Sequence, residues 1–346
     1  MLTVLATEAA GTTARFVDLD IHAWQWAALV VTIVALLLVD VLLVHRTPHE
    51  ISVREALIES SVWVAISVLF GVLMGVWFGW PASGEYFGGY LIEKSLSIDN
   101  VFVWAVIFGY FKIPTRYQFR VLMWGVFGAL VLRAIFIFAG VALLDQFSWL
   151  LYVFGALLLF TAYRLVRDSE HELDPATNPI MRMIRRVVPS TDVIDGQKMF
   201  TRIDGKLLAT PLFAVLLLVE FTDVIFAVDS VPAILAISRE PFIVFSANAF
   251  AILGLRALYF ALAGMKDRFR YLDRGLAAIL TFVGVKMLLL DIVHVPTSIS
   301  LAVIACILAV AVATSLRASR RDDNEDNDVD AAVQPQQPTD AEMDAL

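Results

Sequence analysis

Glu93-Lys-Ser-Leu-Ser-Ile-Asp99-Asn100-Val in the first half of the chain is matched by Asp223-Val-Ile-Phe-Ala-Val-Asp229-Ser230-Val in the second. Each copy sets an acid six residues before an Asp, follows that Asp with a small amide or hydroxyl, and lies in an apolar run long enough to span a bilayer. A charge at the bilayer centre costs about 2.5–3.5 kcal/mol even on the lenient insertion scale, so acids repeated at depth mark a functional site by default.

The surrounding chain fits that setting. Hydrophobic residues make up 59% of the 346 residues, charged residues 17%, and the mean hydropathy is +0.77, which excludes an ordinary soluble domain. A helical span needs about 20 mostly apolar residues. Nine such runs are expected, at about 23–44, 58–80, 86–111, 118–141, 147–166, 208–237, 242–264, 271–290 and 297–316, giving an all-α polytopic membrane protein. Lys and Arg collect in alternate connections: Arg46 and Arg54; Lys112, Arg116 and Arg120; Arg167 through Lys206; Lys266 through Arg274; and Arg317, Arg320 and Arg321. The positive-inside rule then places residues 1–22 outside and the C-terminus in the cytoplasm of a bacterial-type inner membrane. Residues 1–26 carry one basic residue, Arg15, and lack the features of a cleaved signal peptide.

Residues 317–346 read as a disordered acidic cytoplasmic tail. Nine acids fall between Asp322 and Asp344, so removing them from the formal charge of −8 leaves the rest near +1. The single cysteine, Cys306, excludes a disulfide or a multi-thiolate metal site within one chain.

The internal similarity extends past the acids. Gly128–Gly140 with Arg133 resembles Ala251–Gly264 with Arg256, and Ala156–Phe160 followed by Arg164 resembles Ala278–Phe282 followed by Lys286. Spans 3–5 (about 86–166) therefore pair with spans 6–8 (about 208–290), joined by a charged cytoplasmic linker at 167–207. A unit of three spans repeats with opposite orientation, the inverted architecture that secondary transporters build around a midplane site.

On a helix Glu93, Ser97 and Asn100 share a face, and Glu220 and Asp223 are one turn apart. Pro232 frees the carbonyl of Val228 beside Asp229. Carboxylates, an amide, hydroxyls and a carbonyl suit hard divalent ions: Mg²⁺, Ca²⁺ or Mn²⁺. The histidines, His22, His45, His49, His171 and His294, lie in loops or at span ends, which disfavours softer metals. The bland reading of the acids is internal pairing with Lys94, Arg133, Arg256 and Lys286. Against it, the intramembrane acids Asp40, Glu93, Asp99, Glu220, Asp223 and Asp229 outnumber those cations by six to four. The arginines could hold the carboxylates in the empty carrier. Glu59 reads as interfacial, and Trp63, Trp77, Trp80, Trp104 and Trp149 as an aromatic belt. Phosphate loops, nucleophile triads and basic grooves for nucleic acid are absent from the sequence, which reads as non-enzymatic.

The two acidic motifs, Glu220-Phe-Thr-Asp223 with Asp229-Ser230-Val-Pro232, and the entry segment His45-Arg-Thr-Pro-His49-Glu-Ile-Ser52-Val-Arg-Glu55 resemble the integral-membrane TerC/Alx family over about residues 23–316. That family is named for tellurium resistance, and its Alx-type members are similar to Mn²⁺ exporters. The resemblance implies Mn²⁺ as a transported substrate and ion-binding positions at Glu93, Asp99, Asn100, Glu220, Asp223 and Asp229; the buried polar residues Asp40, Ser230, Lys94, Arg133, Arg256 and Lys286 are expected to support them. Proton counter-transport is the expected coupling, because site acids can titrate as metal leaves. The rival expectation is a membrane scaffold of the secretion or stress machinery, without transport of its own.

Overall fold

The computed structural model describes residues 16–40, 51–147, 149–167, 191, 193, 195–203, 205–262, 272–289, 292 and 295–333; the side chain of Asp99 and those of a few other helical residues are outside that description. The chain forms an all-α bundle of α1 (Ala23–Val39), α2 (Val53–Phe78), α3 (Trp80–Tyr110), α4 (Thr115–Gln146), α5 (Leu150–Arg167), α6 (Pro211–Leu235), α7 (Pro241–Leu253), α8 (Leu255–Leu262), α9 (Leu272–Leu288) and α10 (Thr297–Val333). Among the described residues, six helical stretches are long and apolar enough to cross a membrane: α2, α4, α5, α6, α7 with α8, and Thr297–Ser315 of α10. The expected spans at 23–44, 86–111 and 271–290 coincide with α1, α3 and α9. Of these, α1 and α9 are shorter as described, and α3 carries more polar residues.

Two boundaries differ from the sequence expectation. The end of the 167–207 linker folds as an antiparallel hairpin, β1 (Phe200–Ile203) with β2 (Lys206–Ala209), pairing Phe200 with Ala209. Between the strands Gly205 takes φ +77°, and the Asp204-Gly205 pair in the sequence is a strong hairpin signal. At the C-terminal end α10 runs on to Val333, past the tail boundary expected at 316. Residues 45–50, 168–190 and 334–346 of the expected entry segment, linker and tail lie outside the described residues.

Local sequence sets the helix ends. Ser52 caps α2 by accepting from the Glu55 N–H at 3.2 Å. Pro211 and Pro241 open α6 and α7, where a missing N–H is harmless. Gly79 takes φ +93°, which lets α2 turn directly into α3 with Pro81 in the first turn. Pro232 sits inside α6, and Gly254 separates α7 from α8.

Helix α3 lies at the centre, packed on α2, α6, α7, α8 and α10. The other close pairs are α4 on α6, α4 on α7, and α5 on α9. So α3 packs on α7 as α4 packs on α6, while α3 meets α6 and α5 meets α9. The α5–α9 pair is especially close: a Cβ on Gly155 would stand 3.0 Å from the Gly284 carbonyl oxygen, and a Cβ on Gly284 the same distance from that of Gly155. That Gly–Gly contact lets the two helix backbones approach closely.

Apolar packing is divided among three clusters, centred on Ile137, Leu158 and Val283; on Tyr86, Phe250 and Ile252; and on Trp104, Phe108 and Leu218. Outside faces present Leu69, Val72 and Val76 on α2, and Val131, Ile135 and Phe138 on α4. These exposed stripes at helical spacing suit hydrocarbon. The aromatic belt is corrected in part: Trp77, Trp80 and Trp149 are exposed, whereas Trp63 and Trp104 are buried in the second and third clusters, because their helix faces turn inward.

Candidate metal centre

Four helices bring one polar cluster together. Helix α3 supplies Glu93 and Asn100, α4 supplies Arg133, α6 supplies Asp223 and Ser230, and α7 supplies Asn248. All six are nearly inaccessible to solvent. Arg133 is the hub: it makes an ion pair with Glu93, donates from Nε and Nη2 to the two Asp223 carboxylate oxygens at 3.2 and 2.9 Å, and donates from Nη1 to Ser230 Oγ at 3.3 Å. This bidentate grip is the strong, planar form of the Arg–carboxylate bond. Asn248 Nδ2 donates to Glu93 Oε2 at 3.1 Å, and Asn100 Nδ2 to Asp223 Oδ1 at 3.5 Å.

Glu93 and Asp223 are the leading acids of the two sequence copies, so one guanidinium holds the matching carboxylate of each. Around this core lie buried acceptors with no hydrogen-bond partner: Ser97 Oγ, Asn100 Oδ1 and Glu220 Oε2. Glu220 stands against Gly128 of α4 so closely that no Cβ would fit there. Unpaired oxygens at depth are costly.

Of the six expected ion-binding positions, the five whose side chains are described do not gather at one point, and the side chain of Asp99 lies outside the described residues. Glu93, Asn100 and Asp223 meet at Arg133, and Glu220 lies one helical turn from Asp223. Asp229 turns to α5, where Thr161 Oγ1 donates to it at 2.8 Å and Arg164 is within electrostatic reach. The separation follows from the helix: six residues rotate Asp229 by about 120° from Asp223. Among the described residues, no group of three or more His, Cys, Asp and Glu side chains is disposed to hold a metal ion. Arg133 sits between the carboxylates instead.

The supporting residues separate likewise. Arg256 on α8 bonds Asp40 and Glu59 through Nη2, both at 2.5 Å, and stacks 4.5 Å over the Phe119 ring. Glu59, expected to be interfacial, is therefore a partly buried ion-pair partner. Lys94 Nζ donates to the Ala251 carbonyl at 3.4 Å, at the helix break before Gly254. Lys286 is buried on α9. Asn248 was missed by sequence reasoning; its one signal is a lone amide in the apolar run Ile243–Ile252.

The same clamp geometry sits on a sequence with clear relatives. The integral membrane protein TerC family matches residues 78–323. This chain belongs to the TerC family. This TerC-family chain is 48% identical over 305 residues to an uncharacterized membrane protein of Myxococcus xanthus, covering 88% of this chain and 95% of that protein. It is 45% identical over 298 residues to an Escherichia coli K12 protein named "Putative membrane-bound redox modulator Alx", covering 82% of this chain and 92% of the relative. An uncharacterized membrane protein of Rickettsia bellii is 38% identical over 292 residues, covering 84% and 97%. No solved structure matches this TerC-family chain.

Proposed function

We propose that this TerC-family protein exports divalent metal cations, Mn²⁺ foremost, across the bacterial cytoplasmic membrane, with the Arg133 cluster as its ion site. The observation that carries the reading is the pairing of a guanidinium-clamped Glu93 and Asp223 with buried, unpartnered oxygens on Ser97, Asn100 and Glu220. Ionisable groups at such depth mark pathways. Two carboxylates, amide oxygens and hydroxyls make an oxygen-only set suited to a hard ion.

In the empty carrier Arg133 neutralises one of the two carboxylate charges and lets the closed site reorient. An arriving divalent ion brings twice the charge of the guanidinium and releases Arg133 from Glu93 and Asp223. Glu220, one turn away, then completes the ligand shell. The exchanged packing of α3 and α4 against α6 and α7 supports an inverted repeat of spans 3–5 and 6–8, with alternating access about the α3–α6 contact. Asp229, turned to α5, lies farther along the pathway. The basic connections put the N-terminus outside and the C-terminus in the cytoplasm.

Protons are the counter-ion. Carboxylate ligands lose metal as they are protonated, so an acidic exterior favours release. The name of the Escherichia coli relative describes it as a redox modulator. Here Cys306 is the only thiol, so a redox effect of this chain would act through the metal pool.

Mn²⁺ flux through purified protein in liposomes, with Mg²⁺, Ca²⁺ and Zn²⁺ as competitors and a pH gradient of either sign, tests the reading. Saturable Mn²⁺ flux accelerated by an opposing proton gradient supports it. Well-folded protein without flux under any gradient overturns it in favour of a scaffold, and flux indifferent to protons removes the coupling.

A further inference from the structure

A second set of buried oxygens lies at another end of α3, beneath the N-terminal segment Phe16–Ile21. Glu85 in the first turns of α3 is 2% exposed, and its Oε1 accepts the Val17 N–H at 2.9 Å. Its Oε2 is buried with no hydrogen-bond partner. Glu240, the N-cap of α7, accepts the Leu19 N–H through Oε2 at 3.3 Å and its own Phe242 N–H through Oε1 at 3.5 Å. Ser238 joins them: its hydroxyl faces Glu85, and its Oγ accepts the Glu240 N–H at 3.3 Å.

The segment is thus a strap fixed by two carboxylates across two helices distant in sequence. Val17, Leu19 and Ile21 pack on the cluster of Tyr86 and Phe250, and Phe16 is covered by the Arg239 guanidinium at 5.0 Å. Nothing in strap packing needs glutamates, because backbone N–H groups can bond water or carbonyls. Glu85 and Glu240 accept from N–H groups two residues apart on the strap, which brings their carboxylates near each other, and small hard ions such as Mg²⁺ are commonly held by one or two carboxylates with their water retained.

We propose that Glu85, Glu240 and Ser238 form a second station for the divalent ion, on the outward mouth of the carrier, and that ion and strap compete for its two carboxylates. Asp18 and Asp20, exposed on the strap, add the negative charge that draws the ion there. The station rests on the outward-export reading for its direction, since it is the last set of oxygens an exported ion meets before the exterior. Binding of the ion lifts the strap, and loss of the ion to solvent lets the strap close behind it.

The test is labelling of Leu19→Cys in a Cys306→Ala background by a membrane-impermeant maleimide, with and without Mn²⁺ outside. Leu19 is partly buried when the strap is fixed, so Mn²⁺ is expected to raise its labelling rate severalfold. Glu85→Gln retains an oxygen for the Val17 N–H but not the charge, and is expected to remove the Mn²⁺ response while labelling stays slow. Glu85→Ala is expected to label fast at all times. Equilibrium dialysis of Mn²⁺ supplies a second reading: Glu85→Gln should lose one of two classes of bound ion. Flux without Mn²⁺-dependent labelling, or Glu85→Gln that binds as much Mn²⁺ as the parent, overturns the station and leaves the carrier standing. Labelling that responds to Mn²⁺ without flux keeps the station and removes the carrier.

Discussion

Arg133 and Arg256 occupy matching segments of the two halves, and each grips two carboxylates from two other helices, yet their surroundings differ. Arg133 is ringed by Asn100, Asn248 and Ser230, with unpartnered oxygens on Ser97 and Glu220 close by. Arg256 has Asp40 and Glu59 on Nη2 and the Phe119 ring against its face. The two arginine clamps carry the same formal charge, and Glu220 adds a further acid beside Arg133. Neutral oxygen donors surround Arg133, and a hard ion needs those as well as carboxylates to replace its water. On the proposed reading one arginine guards an ion site, and the other fastens α1, α2 and α8 together.

The largest difference should appear when each arginine is removed. Arg256→Ala strands two buried carboxylates and should cost about 3–5 kcal/mol, read as a lower Tm in detergent, with flux per folded molecule retained. Arg133→Gln should instead change function, giving reduced flux and an ion leak because the empty carrier no longer neutralises Glu93 and Asp223. Equal behaviour of the two variants would erase the distinction between them.

Gly128→Ala probes the site without touching a charge. Its Cβ has no room beside Glu220, and overpacking of this kind costs about 1–3 kcal/mol. Flux should fall because Glu220 is displaced, while Gly155→Ala, tight against the Gly284 carbonyl, should lower Tm with little change in ion affinity. Smaller again is Asn248→Ala, which removes one donor to Glu93 and should weaken Mn²⁺ binding by about 1–3 kcal/mol. Smallest is Thr161→Val, expected to leave Mn²⁺ binding at Arg133 unchanged, since Asp229 faces α5.

Hydropathy and the repeated acids made the membrane class, the helices and the two key arginines legible, because spans and buried charges are written in single residues. The pairing of Glu93 and Asp223 on one arginine was not, since helix rotation decides which acid of each motif faces Arg133. Asn248 has no charge to betray it in an apolar run. Glu59 and Trp104 read as interfacial from their position along the chain, while the face each helix turns inward buries Trp104 and pairs a partly buried Glu59 with Arg256. The hairpin at 200–209 was within reach of Asp204-Gly205 but was overshadowed by the charged linker around it.

The most direct test of the Arg133 site compares Mn²⁺ flux of Glu93→Gln plus Asp223→Asn with that of Asp40→Asn plus Glu59→Gln in liposomes, each normalised to folded protein. The account predicts that the first double variant abolishes flux and the second, though less stable, still transports. Flux that survives in the first, or is lost only in the second, would contradict it.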